Sequence, residues 1–289
     1  MEEIGLLAQT EVQKPRKAAS IKLFLLHELP AWQREINYYI ETGHSLSYLH
    51  NETVNILSHG LGALLFFAIP VYVFNTEIPA RYVVATTADK IVCCIYFIGV
   101  AVCFVFSAAF HIFMNHSEKA FALGMKLDFQ GIILLMWGAN IPLIYYGFYC
   151  TPRLRIVHWT LISFLAVCCS LFTFQPVFSQ PRFRPVRAAT SSSLALATFV
   201  PVVHGIALFG YAVQARRVAL RWVVCTLAFN AMGAAAYASK FPEKWFPRRF
   251  DIFGASHQIM HVMVLIAGIA YASAVLESFD FLHEHLDAC

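Results

Sequence analysis

His257 and His261 stand four residues apart in FDIFGASHQIMHVMVLIAGIA, residues 250–270. On a helix that spacing stacks two imidazoles on one face, one turn from each other. FSAAFHIF repeats the pattern with Ser107 and His111, and KLDFQGI follows with Asp128. Ionisable side chains among hydrocarbon-seeking residues are costly and mark function. Neutral imidazoles suit zinc, with Zn–N distances of roughly 2.0–2.1 Å, and three protein ligands leave a fourth position open, as catalytic zinc sites do. His111, His257 and His261 are therefore the candidate ligands. Asp128 could hold a water at the open position by hydrogen bond, and Ser107 could orient it or a bound carbonyl. Taken singly, each histidine reads more readily as a packed interfacial residue. Three at one depth beside an aspartate favour a shared site.

For these residues to meet, the chain must bring three helices together, and its composition says in what medium. Only 13% of the 289 residues are charged and 59% are hydrophobic, with a mean hydropathy of +0.62. A soluble domain carries roughly 25% charged residues, so this is a polytopic membrane protein. Seven apolar segments approach the ~20 residues a bilayer core requires: 54–75, 91–113, 127–149, 156–177, 193–214, 219–239 and 255–276. The sixth is the least hydrophobic, but its AMGAAAYA stretch supplies small residues for close helix packing. Pro142 and Pro201 are expected to kink the third and fifth. With the N-terminus in the cytoplasm, fourteen Lys and Arg lie inside and seven outside, the bias that membrane insertion follows. The C-terminus is then extracytoplasmic, and all five candidate residues lie just beneath the inner leaflet. Residues 1–20 read as a disordered cytoplasmic tail. Residues 21–53 read as an amphipathic juxtamembrane region with Trp32, Tyr38 and Tyr39 at headgroup level. The seven-helix domain is assigned to 54–276, and an extracytoplasmic tail to 277–289. The acidic start and lack of an apolar core argue against a signal peptide. A net charge of +4 is too small and dispersed for nucleic acid.

Other candidates read more plainly. The eight cysteines fall mostly in apolar runs, without a CxxC pair, and suggest no thiolate metal site. His59, His158 and His204 each stand alone at their depth and read as helix–helix hydrogen-bonding groups. His283, Glu284 and His285 belong to the tail and could bind metal weakly, but exposed tail residues of this kind read as solvated. Asn51-Glu52-Thr53 and Asn115-His116-Ser117 match the glycosylation pattern but face the cytosol in this topology.

ELPAWQREINYYIETG, LHNETVNILSHGLGA, SAAFH, LDFQGI and FPEKWFPRRFDIFGASHQIMHV together resemble the progestin and adipoQ receptor family. That family includes adiponectin receptors and haemolysin III-like proteins, and the likeness covers about residues 28–275. The HNETVNI form with a short N-terminus is most similar to fungal members. WQREINYYI departs from the family in lacking the acidic–Asn pair before the tyrosine. The resemblance implies an all-α seven-helix bundle with a cytoplasmic N-terminus and a Zn2+ near the inner leaflet. It implies zinc ligands at His111, His257 and His261, a water-holding residue at Asp128, and the serine of the S-x-x-x-H motif at Ser107. It also implies a lipid partner, since family members and related ceramidases are associated with cleavage of the ceramide amide. Asp128 would then pass a proton from water to the leaving amine, and Ser107 would donate to the oxyanion. Phe106, Phe110, Trp137 and Met260 read as cavity wall or as ordinary packing. Three functions stay open: a zinc-dependent lipid amide hydrolase coupled to signalling, a receptor with structural zinc and an unidentified extracellular ligand, or a channel or pore protein.

Overall fold

The computed structural model describes residues 25–28, 40, 49–75 and 81–285. The tail at 1–20 and most of the juxtamembrane stretch, including Trp32, Tyr38 and Tyr39, lie outside the described residues. Among the described residues, seven helices are long and apolar enough to cross a membrane. They are α1 (Thr53–Asn75), α2 (Thr87–Phe113), α3 (Glu118–Gly147), α4 (Pro152–Thr173), α5 (Pro185–Phe209), α6 (Leu220–Ser239) and α7 (Ser256–Glu284).

Several helices outrun their apolar segments, because polar caps rather than hydropathy set their ends. Thr86 and Asp89 form a reciprocal capping box: Asp89 N donates to Thr86 Oγ1 at 3.2 Å and Thr86 N to Asp89 Oδ2 at 2.9 Å. This starts α2 at Thr87, ahead of the hydrophobic run. Ser117, the last residue of one glycosylation-like triplet, caps α3 by accepting from Ala120 N. Helix α3 therefore begins at Glu118, and Asp128 lies about 15 Å along it at 1.5 Å per residue rather than at its start. At the other end, α7 continues to Glu284, so most of the stretch assigned to a tail is helix.

The two proline expectations divide. Helix α5 breaks at Thr198, between Arg184–Ala197 and Phe199–Phe209. Pro201 lacks the N–H that would bond the carbonyl of residue 197, and its ring crowds that turn. Helix α3 runs through Pro142 without interruption.

Helix α7 packs against α6 and closes back onto α1, α2 and α3. The core between them is aromatic. Phe66, Tyr96, Phe97, Phe104 and Tyr271 are all buried and in mutual ring contact. Two tyrosines also reach across helices: Tyr96 OH donates to Gly268 O at 2.7 Å and Tyr271 OH to Ala139 O at 2.6 Å. These bonds give each hydroxyl a partner where lipid supplies none. Large apolar side chains such as Leu64 and Phe164 point outward instead, as a lipid-facing surface requires.

Small residues set the spacing of the helices that carry the candidate site. A Cβ on Gly131 would come 2.8 Å from Cys103 Cα, so the α3 backbone lies directly on α2 one turn from Ser107. Gly233, within the AMGAAAYA stretch, brings α6 close to α7, where an added Cβ would lie 3.0 Å from Met263 Cβ and 3.3 Å from Met260 Cα.

Candidate metal centre

The loop before α7 is built to hold that helix's first turn. A helix N-terminus leaves four N–H groups without intrahelical partners. Glu243, itself buried, accepts from Ser256 N at 2.8 Å and from the Ser256 hydroxyl. Its negative charge also suits the positive end of the helix dipole. Gln258 fastens the rest: Gly254 N donates to its Oε1 at 2.6 Å, and its Nε2 donates to Ile252 O and Asn51 O, both at 2.7 Å. Gly254 makes the preceding turn at φ +85°, a conformation suited to glycine. His257, lying between Ser256 and Gln258, is thereby fixed in register.

His111 reaches the same place from the last turn of α2. The candidate ligand atoms of His111, His257 and His261 all lie within 4.8 Å of one another. Three points so spaced share a centre no more than about 2.8 Å from each, under an ångström beyond a Zn–N bond. The ring centroids are 4.8 Å apart for His111–His261 and His257–His261, and 5.1 Å for His111–His257. His111 Nε2 and His261 Nδ1 are buried without a hydrogen-bond partner. Each such orphan costs about 1–3 kcal/mol, and a cation accepting both lone pairs removes that cost. The donor set therefore fits a zinc ion.

Cys103, Ser107 and His111 form one stripe of α2, and Asp128 of α3 faces it. Asp128 is partly exposed and lies within interaction range of both His111 and the Ser107 hydroxyl. All five residues selected from sequence thus come together. The wall candidates do so only in part. Phe110 packs beside His111 and Phe121, whereas Trp137 points to α4 and donates to Ser163 Oγ at 2.9 Å.

Two residues at the site escaped the sequence reading. Glu52, in the triplet that resembled a glycosylation signal, is buried with Oε2 2.8 Å from His111 Nδ1. The contact is an ion-pair approach. Burial pushes the Glu52 carboxyl up, but the His111 imidazole beside it, His257 and the Asn55 amide outweigh burial and bring it down to about 2. The second is His59, whose ring lies 4.0 Å from that of His261 and 4.5 Å from Phe104. It is not isolated at its depth, and neither of its nitrogens has a hydrogen-bond partner. Glu52, Asn55 and His59 recur at intervals of three and four along an otherwise apolar face, the pattern that would have exposed them.

The remaining histidines also find company. His158 Nε2 and His204 Nδ1 are 2.9 Å apart, a direct α4–α5 hydrogen bond. His283 is not a solvated tail residue: it is partly buried on the last turn of α7, with Nε2 3.1 Å from Asp89 Oδ2.

The family model for haemolysin-III related proteins matches residues 47–272. An adiponectin receptor protein of Drosophila melanogaster is 33% identical over 95% of the chain. The ADIPOR-like receptor IZH2 of Saccharomyces cerevisiae is 31% identical over 94% of the chain and 89% of its own length. The progestin and adipoQ receptor-like protein 1 of Caenorhabditis elegans is 31% identical over 96% of the chain. The chain spans 65% of the length of the fly and worm proteins. Relatives include a protein of Arabidopsis thaliana named as heptahelical, in keeping with the seven spans. The chain belongs to the haemolysin-III related family of multi-pass membrane proteins, within its adiponectin and progestin receptor-like branch.

Proposed function

We propose that the chain is a zinc-dependent hydrolase of a ceramide-like lipid amide, serving a receptor-like role in lipid or metabolic signalling. The observation that carries this reading is the pairing of a three-histidine cluster with a partly exposed carboxylate beside it. A bound zinc ion would polarise a carbonyl and acidify a water to a pKa of about 7. Asp128 takes the proton as the water oxygen bonds to the amide carbon, then gives it to the departing amine as the C–N bond breaks. Ser107 donates to the carbonyl oxygen as negative charge collects there. The products are a fatty acid and an amine, both suited to a membrane setting.

The basic-residue count supports a cytoplasmic N-terminus and a site beneath the inner leaflet. Cys150, at the opposite end of the bundle, is disulfide-bonded, which suits an oxidising compartment on that side. A receptor with purely structural zinc would use the same ligands, and the receptor names of the relatives fit it. Asp128 separates the two, because a structural site has no use for a proton acceptor.

The test is cleavage of a fluorescent ceramide by the pure protein in lipid nanodiscs. Activity is expected to vanish when a chelator strips the metal and to return with stoichiometric zinc. Zinc-loaded protein that cleaves no lipid amide would overturn the hydrolase reading.

A further inference from the structure

We propose that Glu52 is a positioning residue for the metal, acting through His111 and tying α1 to the two helices that carry the ligands. The inference rests on the zinc reading above. A metal-ligating histidine commonly presents its second ring nitrogen to a carboxylate, which fixes the tautomer and raises ligand basicity. Glu52 Oε2, 2.8 Å from His111 Nδ1, is placed for that role. Neither ring nitrogen has a hydrogen-bond partner, but only Nδ1 has the carboxylate beside it, so a proton drawn to Nδ1 leaves the lone pair on Nε2.

The carboxylate is itself clamped. Asn55 Nδ2 donates to Oε2 at 2.6 Å and Asn51 Nδ2 to Oε1 at 3.2 Å. The Asn51 carbonyl in turn accepts from Gln258, the residue after His257. One polar chain thus runs from His111 through Glu52 and Asn51 to the first turn of α7. It sets the imidazole of α2 in register with those of α7 without passing through the metal.

Charge points the same way. Three neutral imidazoles leave a dication uncompensated, and an uncompensated charge away from water is strongly disfavoured. Among the described residues, Glu52 and Asp128 are the carboxylates within electrostatic range of His111, and ionised together they would balance two positive charges. Their exposures divide the labour. Asp128 is partly exposed and can meet a substrate, whereas Glu52 is only 2% exposed, with His111, Asn51 and Asn55 against its carboxylate.

The experiment measures zinc affinity of full-length protein by competition with a chromophoric chelator, alongside the visible spectrum of the cobalt-substituted form. E52Q is expected to bind zinc about 10–100-fold more weakly while still saturating at the wild-type stoichiometry. Its cobalt bands are expected to shift, because His111 is no longer held. A role confined to packing would lower the unfolding temperature of the metal-free protein and leave both readouts alone. N55A, which keeps the carboxylate but removes its anchor, is expected to weaken zinc several-fold and gives the answer if E52Q does not fold. Folded E52Q, or N55A in its place, with zinc affinity within about twofold of wild type and unshifted cobalt bands would overturn the proposal. Wild-type protein that binds no zinc would instead overturn the metal reading beneath it.

Discussion

Asp128→Asn is expected to leave the protein loaded with zinc and unable to cleave a lipid amide. Asparagine keeps the size of the side chain, so packing between α2 and α3 is preserved. What it loses is the capacity to accept a proton. General acid–base groups contribute about 10²–10⁴ in rate, or roughly 3–5.5 kcal/mol of barrier at 1.36 kcal/mol per decade. The turnover number should fall by that factor, while metal content and affinity stay near wild type. The check is turnover on a ceramide analogue beside elemental analysis of the same sample. Unchanged turnover would remove Asp128 from the chemistry. Parallel loss of metal and activity would recast it as part of the metal's support.

His261→Ala separates in the opposite sense, taking the metal first. The ring is buried between His59 and His111, with an unpartnered nitrogen. Removing it leaves two candidate ligands on different helices and a cavity behind them. Zinc bound by a full protein ligand set is worth about 10–16 kcal/mol in small domains, so one ligand in three or four should account for a hundredfold or more in affinity. The consequence for stability follows by linkage. Zinc at about 1,000 times its Kd stabilises the wild type by about 4 kcal/mol, and a variant that no longer binds gains nothing. Thermal unfolding with and without zinc should therefore show a metal-dependent rise in Tm for wild type and none for His261→Ala. An equal rise in both would place the metal elsewhere.

The two i, i+4 pairs and the aspartate were legible in the sequence because they obey a local rule. Helical spacing alone puts Ser107 with His111 and His257 with His261 on single faces, and seven apolar runs alone give the number of spans. The contributions of α1 were not legible for the same reason in reverse. Glu52 and His59 join the site through packing between helices distant in sequence, and their own 3-and-4 spacing was obscured by an apparent glycosylation triplet. Helix ends were misjudged wherever polar caps did the terminating. Thr86, Asp89 and Ser117 count against a membrane segment by hydropathy, yet they satisfy the first N–H groups of α2 and α3. His158 with His204, and His283 with Asp89, are cross-helix pairs of the same kind. A buried polar group in a membrane protein must find a partner, but spacing along one helix cannot say which neighbour supplies it.

The most direct test of the three-histidine centre is zinc X-ray absorption on the pure, full-length protein with its metal content measured in parallel. One zinc per chain, with a first shell of nitrogen from several imidazoles at about 2.0–2.1 Å, is the expected result. Substoichiometric metal, or a shell dominated by sulfur at about 2.3 Å, would contradict it.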